Sequence, residues 1–174
     1  MFKLILTAFL ALSCIASELN LNSGFIQAHT EVFGDSNINP STNKINSRLT
    51  MNDTIESIQG IIAIESFDLK SDNSKRDTNM YALLNASVHP SISFEFSSIT
   101  LKEKEATIEG FLTLNGMKKP IVSTSTITET DNKINLFGNF SILLSDYGMT
   151  PPSMFFLTVR NQIDIMYNLH YTKK

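Results

Sequence analysis

Catalysis by a nucleophile needs a base beside it, and a metal site needs clustered donors, yet this 174-residue sequence scatters both kinds of residue. Its three histidines, His29, His89 and His170, stand far apart, none at a known catalytic spacing, and no HxxxH or CxxC occurs. Ser145-Asp146 reads as a turn whose side chains cap and brace a loop, not as part of a triad. Arg76-Asp77 opens a helix signal, and such a pair either anchors the helix or holds a polar headgroup. No catalytic residue, metal ligand or cofactor is assigned. A net charge of −3 with a pI near 5.6, and no long basic run, set nucleic acid aside as a partner.

The elements that would position a site come from hydrophobic patterning. Hydrophobic content of 42% and charge of 18% suit one ordinary globular domain. Residues 1 to 17 read as a secretory signal peptide, with one cation at Lys3, an apolar run from Leu4 to Leu12 and small residues up to the cut after Ala16 or Ser17. That run is too short to span a bilayer, and no stable membrane span is expected. A rival reading makes Cys14 a lipid-modified first residue, because Ala11-Leu12-Ser13-Cys14 loosely has the form of a lipobox; the ordinary signal is preferred. On that reading the single cysteine is removed, and residues 18 to 174 form one domain that packing alone stabilises.

Candidate strands lie at 24–32, 43–51 and 56–66, separated by turns at Gly34-Asp35-Ser36-Asn37 and Asn39-Pro40-Ser41. The strand at 56–66 is apolar on both faces and is expected to be covered outside by the following helix. A polar loop over 66–75 leads to that helix. There Asp77 is expected to accept from the free N–H groups of the first turn, while Met80, Leu83 and Leu84 share one face. After Pro90 the period becomes two, with Ile92, Phe94 and Phe96 opposite Ser91, Ser93, Glu95 and Ser97. Residues 91–101 and 105–115 read as a hairpin through the charged turn Lys102-Glu103-Lys104-Glu105. Beyond Asn115-Gly116, Pro120 precedes a Ser/Thr-rich strand over 121–128.

Ile134, Leu136, Gly138, Phe140, Ile142 and Leu144 then form the longest strict alternation, in which Gly138 either relieves crowding at a curved wall or leaves space for a ligand. Residues 145–157 read as a loop fixed by two prolines and rich in Met and Phe, and a last strand at 162–171 aligns Ile163, Ile165, Tyr167 and Leu169. Short strands, one helix and no βαβ rhythm give an all-β antiparallel sandwich or barrel; the pattern does not choose between them.

Four segments carry a resemblance: Arg-Asp-x-x-Met at 76–80, His-Pro-Ser-Ile-Ser-Phe-Glu-Phe at 89–96, Gly-Phe-Leu-Thr-Leu-Asn-Gly-Met-Lys-Lys-Pro-Ile at 110–121, and Leu-Ser-Asp-Tyr-Gly-Met at 144–149. Together they resemble the YceI-like family. The resemblance is best over 76–149, while the N-terminal third departs from the family pattern. It implies a lipocalin-like antiparallel β-barrel of about eight strands. A short helix would flank an internal apolar tunnel for a polyisoprenoid, isoprenoid quinone, fatty acid or fatty amide. The same resemblance implies a periplasmic binding or transport protein without catalysis, whose family members form homodimers. The family often has His where this chain has Asn79 and a basic residue where it has Leu144, so a gripped phosphate headgroup is less expected here than a neutral one.

The candidate ligand-binding residues are Met80, Leu83, Leu84, Ile92, Phe94, Phe96, Ile108, Leu112, Leu114, Leu136, Phe140, Ile142, Leu144 and Met149. Rows of this kind are ordinary core in most proteins, but 12 Phe and 7 Met without any Trp favour an adaptable apolar interior. The alternative is a packed barrel that binds a protein partner through the 149–157 loop. An enzyme acting on a lipid is a third reading, with no residue to carry it.

Overall fold

The period-two rows of the sequence lie in one continuous antiparallel sheet in the computed structural model, which describes residues 16–32, 35–103, 105–154 and 157–174. The signal reading for residues 1 to 15, Cys14 included, lies outside the described residues. In chain order the strands are β1 (Ser17–Val32), β2 (Asp35–Ile38), β3 (Ser41–Thr42), β4 (Asn46–Met51), β5 (Gln59–Glu65) and β6 (Ser91–Lys102). These are followed by β7 (Glu105–Leu114), β8 (Met117–Thr130), β9 (Lys133–Leu143), β10 (Ser153–Met154), β11 (Leu157–Thr158) and β12 (Gln162–Lys173). Eight of them form the closed barrel, in the order β1-β4-β5-β6-β7-β8-β9-β12. The ring closes where β12 pairs with β1, from Leu19↔Lys173 to His29↔Asp164. Closure removes the open sheet edges that a sandwich would have to protect.

Local chemistry sets the joints. Asn115 and Gly116 have φ of 49° and 72°, the paired positive values of a tight hairpin turn, so β8 starts at Met117 and Pro120 lies inside the strand instead of before it. The turn makes Leu114↔Met117 a hydrogen-bonded pair, which aims the backbone of even-numbered β8 residues, Pro120 among them, toward β9. There β8 and β9 pair only from Thr124↔Asn139 downward, so the N–H that proline lacks has no partner to miss. In β6 a bulge between Phe96 and Ser98 moves the inward set from Ile92, Phe94 and Phe96 to Ile99. A similar shift between Leu21 and Ser23 breaks the alternation of β1, which runs from Ser17 instead of starting at 24.

Helix α1 (Ser74–Leu83) corrects the expected cap. Asn73 is the N-cap and accepts from the Lys75 and Arg76 N–H groups at 3.0 and 3.1 Å. Asp77 sits one turn in, with its own N–H already bonded to the Asn73 carbonyl, and its carboxylate takes the Ser71 N–H and hydroxyl at 2.8 and 2.7 Å. It therefore fastens the preceding loop to the helix. At the other end Asn85, with φ of 51°, and the Ala86 N–H bonded to the Tyr81 carbonyl terminate the helix. The expected loop over 145–157 is instead a 3₁₀ turn (Leu144–Tyr147) and the β10–β11 hairpin; Phe155 and Phe156 lie outside the described residues.

One end of the barrel is packed solid. Leu19, Leu49, Met51, Ile134 and Tyr171, each 1–2% exposed, fill it. The Tyr171 hydroxyl reaches Ser47 Oγ at 3.0 Å, and burial pushes this phenol up to about 12 from its ordinary 10.0. The unfolded chain gives up that proton near pH 10 while the folded chain keeps it, so the stability it confers is complete below pH 10 and is lost as the pH rises toward 12. Urea unfolding at pH 9 and at pH 11.5 should show a loss that Tyr171→Phe reduces by about 2 kcal/mol; an equal loss in the variant would place the alkaline sensitivity elsewhere.

Candidate functional site

The inner faces part above the packed end. Along β12, Leu169 pairs with Leu136, Tyr167 with Gly138, Ile165 with Phe140 and Ile163 with Ile142, and all of these but Gly138 line a cavity of about 870 Å³. Six residues of strand give it a depth of roughly 20 Å along the wall, or about 15 Å along a barrel axis from which strands tilt by about 40°. The volume is near the upper end of the roughly 300–1,000 Å³ that single small-molecule pockets occupy. The floor is the packed end. The mouth lies among α1, the β1–β2 hairpin and the 152–159 segment.

Thirteen of the fourteen sequence-derived candidates line this one space. Strand β6 contributes Ile92, Phe94 and Phe96; β7 contributes Ile108, Leu112 and Leu114; β9 contributes Leu136, Phe140 and Ile142; Leu144 follows at the rim. From α1 and its C-cap come Met80, Leu83 and Leu84, so the apolar stripe of the helix closes one side of the cavity. Met149 is the exception. Gly148 takes a left-handed conformation with φ of 68°, and the Met149 N–H then turns back to the Leu144 carbonyl, burying Met149 in the core beside Tyr147 and away from the cavity lining.

Sequence reasoning passed over Ile26 of β1, Ile62 and Ile64 of β5, and Ile163, Ile165, Tyr167 and Leu169 of β12. The β12 set was visible as an alternation equal to that of β9, and closure makes it the facing wall. Ile62 and Ile64 were hidden by Ile61 and Ala63 on the other face of the same strand.

Four rings form an arc along the wall. Phe96 and Phe94 meet edge to face at 5.2 Å, Phe94 and Phe140 lie 6.3 Å apart, and Phe140 and Tyr167 lie 6.5 Å apart. A Cβ on Gly138 would come within 2.4 Å of the Tyr167 oxygen and 2.5 Å of Ser125 Oγ, so this glycine relieves crowding by the tyrosine and leaves nothing for a ligand. The Ser/Thr content of β8 has its explanation here: Ser123 and Ser125 turn inward and hold the Tyr167 hydroxyl at 2.7 and 2.6 Å, while Ser123 donates to the Asn139 carbonyl at 2.9 Å. Burial raises the Tyr167 pKa, and the two serines partly offset it. Above that point β8 and β9 separate, leaving an outer groove of about 470 Å³ between Lys119–Val122 and Ser141–Leu143, with Tyr147 at its base. Ile142 borders both the groove and the main cavity.

Polar side chains gather at the mouth. Arg76 pairs with Asp35 and lies 3.8 Å from Asp72; His29 stands between Asn39 Oδ1 at 2.7 Å and Glu31 at 3.3 Å. Farther round, Arg160 pairs with Asp164 and lies 3.8 Å from Glu31. Hydrogen bonds from Ser141, then Gln162 and Arg160, pull the Asp164 pKa down to about 2. Among the described residues no group of three or more His, Cys, Asp or Glu could hold a metal ion, and no helix is long and apolar enough to cross a membrane.

Residues 19–171 match the family model of the YceI-like domain. No curated protein matches the chain. Among solved structures, BcnA of Burkholderia cenocepacia superposes with a TM-score of 0.74 at 13% identity, over 84% of this chain and 95% of that one. A polyisoprenoid-binding domain from Saccharophagus degradans, implicated in plant cell wall breakdown, gives 0.68 at 10% identity, over 90% and 98%. The YceI protein of Campylobacter jejuni gives 0.64 at 14% identity, over 100% and 91%. At these identities the likeness is one of fold.

The hydroxyl cluster at the cavity wall has a measurable consequence. Tyr167→Phe leaves the buried Ser125 hydroxyl only its long 3.5 Å contact with Ser123 Oγ and should lower the urea-derived unfolding free energy by about 1–3 kcal/mol; unchanged stability would show that the cluster contributes nothing net.

Proposed function

This chain belongs to the YceI-like domain family, and on that premise we propose that its barrel takes up one long-chain apolar lipid, an isoprenoid or an acyl chain, and sequesters or carries it in the periplasm without chemical change. The observation that carries this reading is the cavity itself: about 870 Å³, walled by aliphatic and aromatic side chains, closed at one end and rimmed by polar groups at the other. A barrel meant to be packed throughout would bring the same rows into contact at the top as it does at the bottom. A structural neighbour named for polyisoprenoid binding supports the ligand class.

The energetics permit it. Burying a chain of about 18 carbons at about 0.8 kcal/mol per CH₂ gains on the order of 14 kcal/mol. Association costs roughly 4–15 kcal/mol, so micromolar binding needs little polar help. The reading also accounts for the absence of an assigned nucleophile and base from the sequence, since holding a hydrocarbon chain requires neither.

Native mass spectrometry of the protein purified from its own periplasm, followed by organic extraction, should reveal one long-chain lipid per barrel. Phe140→Asp places a carboxylate in the aromatic arc and should abolish that adduct while circular dichroism stays that of a folded β-protein. A lipid-free mass that stays unchanged after incubation with isoprenoids, quinones and fatty amides would overturn the proposal.

A further inference from the structure

We infer that the mouth of the cavity discriminates by charge, admitting lipids that end in a hydroxyl or carbonyl group and turning away those that end in phosphate, pyrophosphate or carboxylate. The inference rests on the lipid-binding reading above and narrows it to a headgroup class.

The closed floor decides which end of a lipid goes in first. Below Leu136 and Leu169 the barrel is filled by Ile134 and Tyr171, and the polar atoms beside the floor are already engaged with one another: Tyr167 with Ser123 and Ser125, and Ser123 with the Asn139 carbonyl. No lysine or arginine among the described lining residues lies at that depth. An ionised headgroup there would be desolvated without a counter-charge, which is prohibitive, so the hydrocarbon end must lead and the headgroup must stay at the mouth.

At the mouth, Arg76 is the sole lysine or arginine among the described lining residues, and its guanidinium is committed to Asp35, with Asp72 3.8 Å away. Asp77 also lines the cavity, its carboxylate occupied by the Ser71 N–H and hydroxyl. Asp35, like any aspartate near neutral pH, is a carboxylate, and the Asn37 backbone N–H, ahead of Arg76, holds its pKa below the ordinary value. Two carboxylates, Asp35 and Asp72, thus face one guanidinium. On the far side His29 is flanked by Glu31, and Arg160 is taken by Asp164. An incoming anion finds no unpaired cation among the described lining residues and meets the like charge of Asp35 and Asp72 beside the one guanidinium. A hydroxyl or carbonyl meets no such repulsion.

The test compares two C20 probes that differ at the head alone, geranylgeraniol and geranylgeranyl monophosphate, by equilibrium dialysis against the full chain at neutral pH. The alcohol should bind about tenfold or more tightly than the phosphate. Asp35→Asn, which removes one carboxylate and releases Arg76, should narrow the ratio about tenfold; independently of any variant, raising the salt concentration should also narrow it by screening. Equal binding of the two probes, or tighter binding of the phosphate, would overturn the charge rule while leaving the lipid-binding reading intact. Failure of both probes to bind would overturn the two together.

Discussion

Pairing of the first strand with the last is the interaction on which the rest of this structure depends. The β1–β12 ladder joins residues about 150 positions apart in sequence, from Leu19↔Lys173 to His29↔Asp164, and turns a meander of hairpins into a ring. Once the ring is closed, every inward side chain faces another wall, and the interior must be either filled or hollow. Both outcomes occur in the same barrel. Tyr171, Met51 and the leucines around them fill one end, while the isoleucines of β5 and β12 and the rings of Phe94 and Phe140 stop short of meeting at the other.

That division makes the two ends chemically unlike. The packed end supplies the stability, because large side chains there exclude water and leave the phenols of Tyr167 and Tyr171 bonded to serines. The open end gives up packing for a lined space, and its helix is held there by hydrogen bonds and ion pairs, chiefly Asp77 to Ser71 and Arg76 to Asp35. The Arg76-Asp77 pair, which the sequence left between anchoring and headgroup binding, performs the first task with both of its charges. Its commitment to that task gives the mouth its acidic balance.

Much of the wall was legible because β7 and β9 keep strict alternation and have a polar outer row to contrast with it. Thirteen of the fourteen candidate residues could be placed on one surface for that reason. What escaped notice depended on partners distant in the chain. The role of Gly138 is decided by Tyr167, and the inward serines of β8 are decided by that same hydroxyl; neither is visible until β9, β8 and β12 lie side by side. Local chemistry also misled where two signals competed. Asp77 looked like a cap, yet Asn73 stands where the loop runs out and takes the first-turn N–H groups before Asp77 can. Met149 looked like an apolar rim residue, but the left-handed Gly148 folds it underneath. The bulge in β6 erases alternation without leaving a glycine or proline to mark it, and that in β1 lies just before Gly24.

The parting of β8 from β9 above Asn139 makes the barrel a slit hoop at its upper end. β1 and β4 likewise pair only through Ser17–Leu19 and Leu49–Met51, so backbone hydrogen bonds lace the ring all round at its packed end and leave two seams at its open one. At the β8–β9 seam side chains, Ile142 and Tyr147 among them, line the gap in place of a ladder. The barrel thus has a laced hem below and two open seams above.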